Sequence, residues 1–275
     1  MKQEVRFCTS ADGTRIAYAT YREAAARALV NVPSFDFVQE YSWKRPTTRG
    51  LYQALASDRR LITFDRRGVG GSQRDVDDLA IPAQVGDIAA VVDQLGLESF
   101  DLTGLAFGGV LAAAYAVEHP ERVGRLVLWQ PLMRTSGPPL RGLLDLAQSI
   151  RANWSLARRS WASIAYPNGP GDLQRWFSNM LRDSLTPEVA ARHFEVVAEF
   201  DGRAILRSVQ APTLVLDSGS HDLETASIRA AASLIPDARL VTVEGGSAMP
   251  GRIDSFLAAM RKFLDETDAE SEVRN

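Results

Sequence analysis

Short apolar runs and helix-period stripes take turns along this chain. Residues 14–20 read as a strand after the turn Ala11-Asp12-Gly13. Residues 29–33 and 60–65 are apolar runs of the kind buried on both faces in a parallel sheet. Between them, residues 47–57 carry apolar side chains at helical spacing. Ile81, Val85, Ile88, Val91, Val92 and Leu95 form a second helical stripe, with Pro82 near its start and Gly96 at its end. Residues 99–103 and 123–129 read as strands around a small-residue helix over 108–118, which Pro120 ends. The last two strands are expected over 211–217 and 238–243, followed by helices over 225–234 and 253–266. This alternation predicts an α/β fold. Its sheet would be mostly parallel, joined by right-handed crossovers and covered by helices on both faces.

One segment breaks the rhythm. Residues 132–200 contain no convincing strand and carry Trp154, Trp161 and Trp176. They read as several helices inserted after one strand, over the sheet's carboxyl edge, where open α/β folds bind ligands. The expected organisation is a core over residues 1–131 and 201–266, a helical lid over 132–200, and a flexible acidic tail over 267–275. The plainer alternative is a helical layer whose tryptophans are only core.

Composition narrows the function classes. Among 275 residues, 31 Lys and Arg stand against 34 Asp and Glu, a formal charge of −3 with the arginines scattered. That argues against a nucleic-acid surface. The longest apolar run, 108–117, stops at Glu118-His119-Pro120, short of membrane-spanning length. The first nine residues are charged and lack an apolar core, so no signal peptide and a cytoplasmic location are expected. The lone Cys8 cannot form an internal disulfide and is expected in a strand, at least partly buried. No trio of residues has metal-ligand spacing, and Gly68-Val69-Gly70-Gly71 lacks the lysine of a phosphate loop. No metal and no cofactor are expected. Nothing in the sequence sets an oligomeric state.

The informative stretch is Phe100-Asp101-Leu102-Thr103-Gly104-Leu105-Ala106-Phe107-Gly108-Gly109. A strand runs into Gly104, a central residue follows two positions later, and glycines open a helix. This is the pattern of a nucleophile elbow. The turn thrusts the central side chain out at the sheet edge, and the helix start can stabilise an oxyanion. Here the central residue is Ala106, and a methyl group cannot attack a carbonyl.

At these residues the chain resembles the α/β-hydrolase family, over nearly its whole length. Asp65-Arg66-Arg67-Gly68-Val69-Gly70-Gly71-Ser72 is similar to the family's D-x-R-G-x-G-x-S turn. His119-Pro120-Glu121-Arg122-Val123 and Ala211-Pro212-Thr213-Leu214-Val215-Leu216 resemble the family's H-P-E-R-V link and A-P-T-L-V-L strand. Glu40-Tyr41-Ser42-Trp43, with the helical insertion, is similar to bacterial hydrolase-like domains found alone or fused to adenylate cyclase or DNA-binding regulators. No such output domain is expected within these residues.

The resemblance implies a nucleophile, an acid and a histidine in that order. It sets Ala106 at the nucleophile position and Ala248 at the histidine position, within Gly245-Gly246-Ser247-Ala248-Met249-Pro250. Asp222 is the first choice for the acid and Asp217 the second. Asp222 could equally be a surface aspartate at a helix start. The oxyanion hole would use the Phe107 amide and one from Ser34 or Phe35. Trp129, Trp154, Trp161, His193 and His221 are candidate pocket residues, although a solvent-exposed position is the simpler reading of His193, and a surface loop that of His221. The implied ligand is small, mostly apolar and carries a carbonyl, such as an ester or lactone. Two histories fit paired alanines: deliberate replacement of a serine and a histidine, or natural loss of the triad with the pocket kept. The expected function is a serine ester or lactone hydrolase when those positions carry serine and histidine, inactive as written. The alternatives are a binding or sensing protein, or a lyase, isomerase or cyclase that works without a triad.

Overall fold

The computed structural model describes residues 3–23, 25, 27–132, 138–166, 169–219, 222–243 and 253–266. Eight strands form one sheet: β1 (Val5–Thr9), β2 (Arg15–Tyr21), β3 (Ala28–Val32), β4 (Arg60–Phe64), β5 (Phe100–Leu105), β6 (Val123–Trp129), β7 (Thr213–Asp217) and β8 (Ala238–Thr242). Their spatial order is β1-β2-β4-β3-β5-β6-β7-β8. β1 and β2 pair antiparallel, as do β2 and β4, and every later pairing is parallel. The helices are α1 (Gln39–Lys44), α2 (Pro46–Leu55), α3 (Ile81–Gln94), α4 (Phe107–Glu118), α5 (Pro138–Ala152), α6 (Trp154–Ala165), α7 (Gly171–Ser184), α8 (Pro187–Glu199), α9 (Arg203–Ser208), α10 (Asp222–Leu234) and α11 (Ile253–Asp265).

Most elements lie where the apolar pattern predicts them. Two are additions. β1 is an edge strand whose Val5 and Phe7 are exposed, so no buried run marks it. α1 is too short to show a stripe. Residues 132–200 contain helices and no strand among those described. α5 packs on α8, and α6 on α7.

The core has two layers, one on each sheet face. α3, α4 and α10 bury Val85, Ile88, Val110, Leu111 and Ile228 in the larger layer. α2 and α11 bury Leu51, Tyr52, Leu55, Phe256 and Met260 in the other. β6 divides by parity: Leu126 and Leu128 join the first layer, Val127 and Trp129 the second.

The glycine-rich turn after β4 is structural. The Asp65 carboxylate accepts from the amides of Gln39 and Gly71, each at 2.8 Å. Ser72 Oγ donates to the Asp65 carbonyl and accepts from the Ala17 amide at 2.9 Å. Arg67, fully buried, makes a bidentate pair with Asp87 at 2.7 Å and reaches Asp12 at 2.8 Å. Burial raises the Asp65 pKa to about 6, against the pull of its two amide bonds. Among the described residues no helix is long and apolar enough to cross a membrane. Cys8 is buried in β1, and burial pushes its thiol up to about 11, so it is no ready thiolate.

Candidate active site

The elbow between β5 and α4 has the predicted strained geometry. Ala106 stands at φ 50°, ψ −117°, backbone that residues with a Cβ rarely adopt. Its amide donates to the Trp129 carbonyl at 2.9 Å, and its carbonyl accepts from Gly109 at 3.0 Å. The glycines permit the turn. A Cβ at Gly104 would lie 2.5 Å from the Gly108 carbonyl oxygen, and one at Gly108 would collide with the Val32 carbonyl and lie 2.7 Å from that of Pro33. The surroundings therefore impose the elbow, and an alanine is held in it. Phe107 is the first residue of α4, so its amide is one of the helix-start donors with no partner inside the helix.

A cavity of about 360 Å³ opens above the elbow. Leu105 and Ala106 form its floor, Gln130, Pro131 and Leu132 one wall, Ser34, Asp36 and Phe37 another. Trp161, Ile164 and Ala165 of α6 and Ser227 and Ile228 of α10 complete it. The volume lies within the usual range for small-molecule sites, and the lining is mainly apolar with a few polar groups.

The structure brings together only part of the expected set. Ala106, Ser34 and Trp161 line the cavity. Phe35 is buried beside it, its ring stacked on His193 at 4.7 Å. Trp129 belongs elsewhere: it faces the other side of the sheet, packs on Phe256 at 4.5 Å, and lines a separate cavity of about 50 Å³. Strand parity is the reason, since its neighbour Leu128 faces the elbow layer. Trp154 is half-buried at the start of α6, packed against the core and not in the lining. His193 corrects the expectation of exposure. It is fully buried in α8, and burial together with the nearby Arg66 guanidinium holds its pKa well below the ordinary value.

Asp217 ends β7 and is buried. Its Oδ1 accepts from the Gly219 amide at 3.0 Å, and its Oδ2 has no hydrogen-bond partner among the described residues. It sits at the sheet's carboxyl edge beside Thr242 of β8. Asp222 is the first residue of α10. His221 and Ala248 lie outside the described residues.

Gln130 and Asp36 are among the lining residues that no sequence motif marks. Gln130, at φ 46°, donates through Nε2 to Ser218 Oγ at 2.6 Å and ties the ends of β6 and β7 together. Asp36 is the one titratable side chain among the described lining residues. Its only sequence signal is a charge directly after an apolar strand and turn. Beneath the site, Arg66 is fully buried, bonded through Nε to Gln84 at 2.9 Å and placed over the Phe107 ring at 5.2 Å. No group of three His, Cys, Asp or Glu suited to a metal ion occurs among the described residues.

Comparison with known proteins agrees with this fold. A family model described as "alpha/beta hydrolase fold" matches residues 41–250. A protein of Azorhizobium caulinodans named "Putative carbamate hydrolase RutD" is 27% identical over 234 residues, covering 80% of this chain and 86% of that protein. The 2-hydroxymuconate semialdehyde hydrolase of Pseudomonas putida is 43% identical over 84 residues, 30% of each chain. The solved enol-lactonase of Burkholderia xenovorans superposes with a TM-score of 0.81 at 24% identity, over 95% of this chain and 100% of the other, a likeness of fold.

Proposed function

Since the chain belongs to the alpha/beta hydrolase fold family, we propose that it binds a small, mostly apolar carbonyl compound in the elbow cavity and, as written, does not hydrolyse it. The observation that carries this is Ala106 held at φ 50°, ψ −117° in the lining of a cavity of about 360 Å³. An elbow of this shape presents a side chain and a helix start to the same carbonyl. With a methyl group in place of a nucleophile, only the second half of that chemistry remains. The ligand's carbonyl oxygen accepts from the Phe107 amide, with a second amide from the turn at Ser34 and Phe35. The apolar walls take the rest of the molecule. Residues 132–200 act as a lid, since Trp161, Ile164 and Ala165 of α6 wall the cavity from that insertion.

In a form with serine at position 106 and histidine at position 248, the serine would attack and the histidine would shuttle the proton. An aspartate would orient the imidazole. The free Oδ2 of Asp217 at the end of β7 supports Asp217 for that role over Asp222. Relatives named as acting on carbamates, a semialdehyde and an enol-lactone support an ester, lactone or related carbonyl as the ligand class.

The test is a thermal melt of the unaltered chain with a panel of short aryl esters and lactones, followed by product analysis. A ligand at about one hundred times its Kd adds about 2.7 kcal/mol to stability. The expected result is a higher midpoint with at least one member and no product. Product under single-turnover conditions would contradict the reading, as would a panel that leaves the midpoint unmoved.

A further inference from the structure

Asp36 is the group the hydrolase reading leaves idle. It follows the β3 turn and lines the same cavity as Ala106, among mainly apolar residues. Its Oδ1 is buried with no hydrogen-bond partner among the described residues. The Ser34 hydroxyl bonds to the carboxyl, and the Arg66 guanidinium and Tyr166 lie close enough to interact with it electrostatically. Arg66 bonds Gln84 through Nε and Nη2, and its buried Nη1 has no hydrogen-bond partner among the described residues, so it acts on Asp36 only through its charge. A carboxyl kept in an apolar pocket without an ion pair is costly unless something uses it.

We propose that Asp36 is a proton-transferring carboxyl of this cavity, and that the chain enolises a small carbonyl compound with an acidic α C–H, such as a β-keto ester. The inference rests on the reading above, that a carbonyl oxygen binds at the start of α4. The Asp36 carboxylate removes the α proton. The C–H bond breaks, an O–H bond forms on Asp36, and the freed pair becomes the C=C bond as the carbonyl π pair moves onto oxygen. The resulting enolate oxygen lies at the Phe107 amide and the positive end of α4. Return of the proton to carbon restores the ketone, or its delivery to oxygen gives the enol. No oxidant, reductant or metal takes part. Burial raises the Asp36 pKa, with Ser34 and Arg66 opposing, which makes its carboxylate a stronger base than an exposed one. An alanine at position 106 suits this chemistry, because no nucleophile competes for the carbonyl carbon.

The experiment is hydrogen–deuterium exchange at the α carbon of ethyl 2-methylacetoacetate in D2O, followed by proton NMR, with melts of the same samples. The unaltered chain is expected to raise the melting midpoint with the probe and to accelerate exchange. Asp36→Asn is expected to keep the midpoint shift and lose exchange by at least about 100-fold, the lower end of what a positioned acid–base group contributes. Asp36→Ala carries the same expectation if the asparagine variant folds poorly. A midpoint shift with exchange at the buffer rate, or exchange unaffected by either substitution, overturns the role of Asp36 and leaves the binding reading standing. Neither shift nor exchange overturns both.

Discussion

Replacing Ala106 with glycine should make the protein more stable. At φ 50°, ψ −117° an L-residue stores about 1–3 kcal/mol of backbone strain, and glycine relieves it. Two terms oppose the gain. Glycine's freedom in the unfolded chain costs about 0.4–1 kcal/mol. Loss of a half-buried methyl costs about 0.4 kcal/mol, half the value of a buried CH2 group. The middle of these ranges leaves about 1 kcal/mol in favour of glycine, or about 3 °C in Tm for a chain of this size. Scanning calorimetry of the two proteins at equal concentration measures it, with urea titration as a second readout. Ala112→Gly is the control. Ala112 lies in the interior of α4 and is fully buried, so the same change there should lower stability by about 2 kcal/mol. If Ala106→Gly leaves Tm unchanged or lowers it, no strain is held at the elbow, and the argument that the surroundings impose this geometry fails.

Gly108→Ala should cost about 3 kcal/mol or more, because the added Cβ meets the Val32 and Pro33 carbonyls, which are backbone and cannot step aside; urea unfolding measures it. The Asp65 carboxyl, at about 6 when folded against 3.8 as its ordinary value, binds protons more tightly in the folded state. Its contribution to stability is therefore present below about pH 4 and lost as pH rises through 6, by about 3 kcal/mol in total. Urea titrations between pH 4 and 7 should show this fall in the unaltered chain and not in Asp65→Asn. His193 is buried, its folded pKa depressed, so stability should drop as pH falls below the ordinary histidine value, and its ring signals in NMR should remain those of the neutral imidazole at pH 6.5.

Much of the fold was legible because strands such as β6 and β7 are largely apolar runs and long covering helices such as α3 carry a stripe. The elbow was legible for a different reason: Gly104 and Gly108 sit where backbone meets backbone, and only glycine fits. What was hidden depends on three-dimensional partners. β1 was marked only at Cys8, since an edge strand buries little else. The side of the sheet that Trp129 faces is a matter of which helices cover which face, and its parity alone does not state that. His193 lies among Arg192 and Glu195, neighbours typical of a surface, yet its own face of α8 turns inward onto Phe35. Asp36 belongs to no motif in the sequence, and only the cavity gives it a setting.

On the proposed reading, a nucleophile at position 106 and a base at position 248 would restore hydrolysis in the elbow cavity. The most direct test is to expose the unaltered chain and the double variant Ala106→Ser with Ala248→His to a fluorophosphonate, and to map the adduct by mass spectrometry. The account predicts stoichiometric labelling at position 106 in the double variant, hydrolysis of an ester or lactone by the same protein, and no label on the unaltered chain. A folded double variant that takes no label and turns over no ester would contradict it.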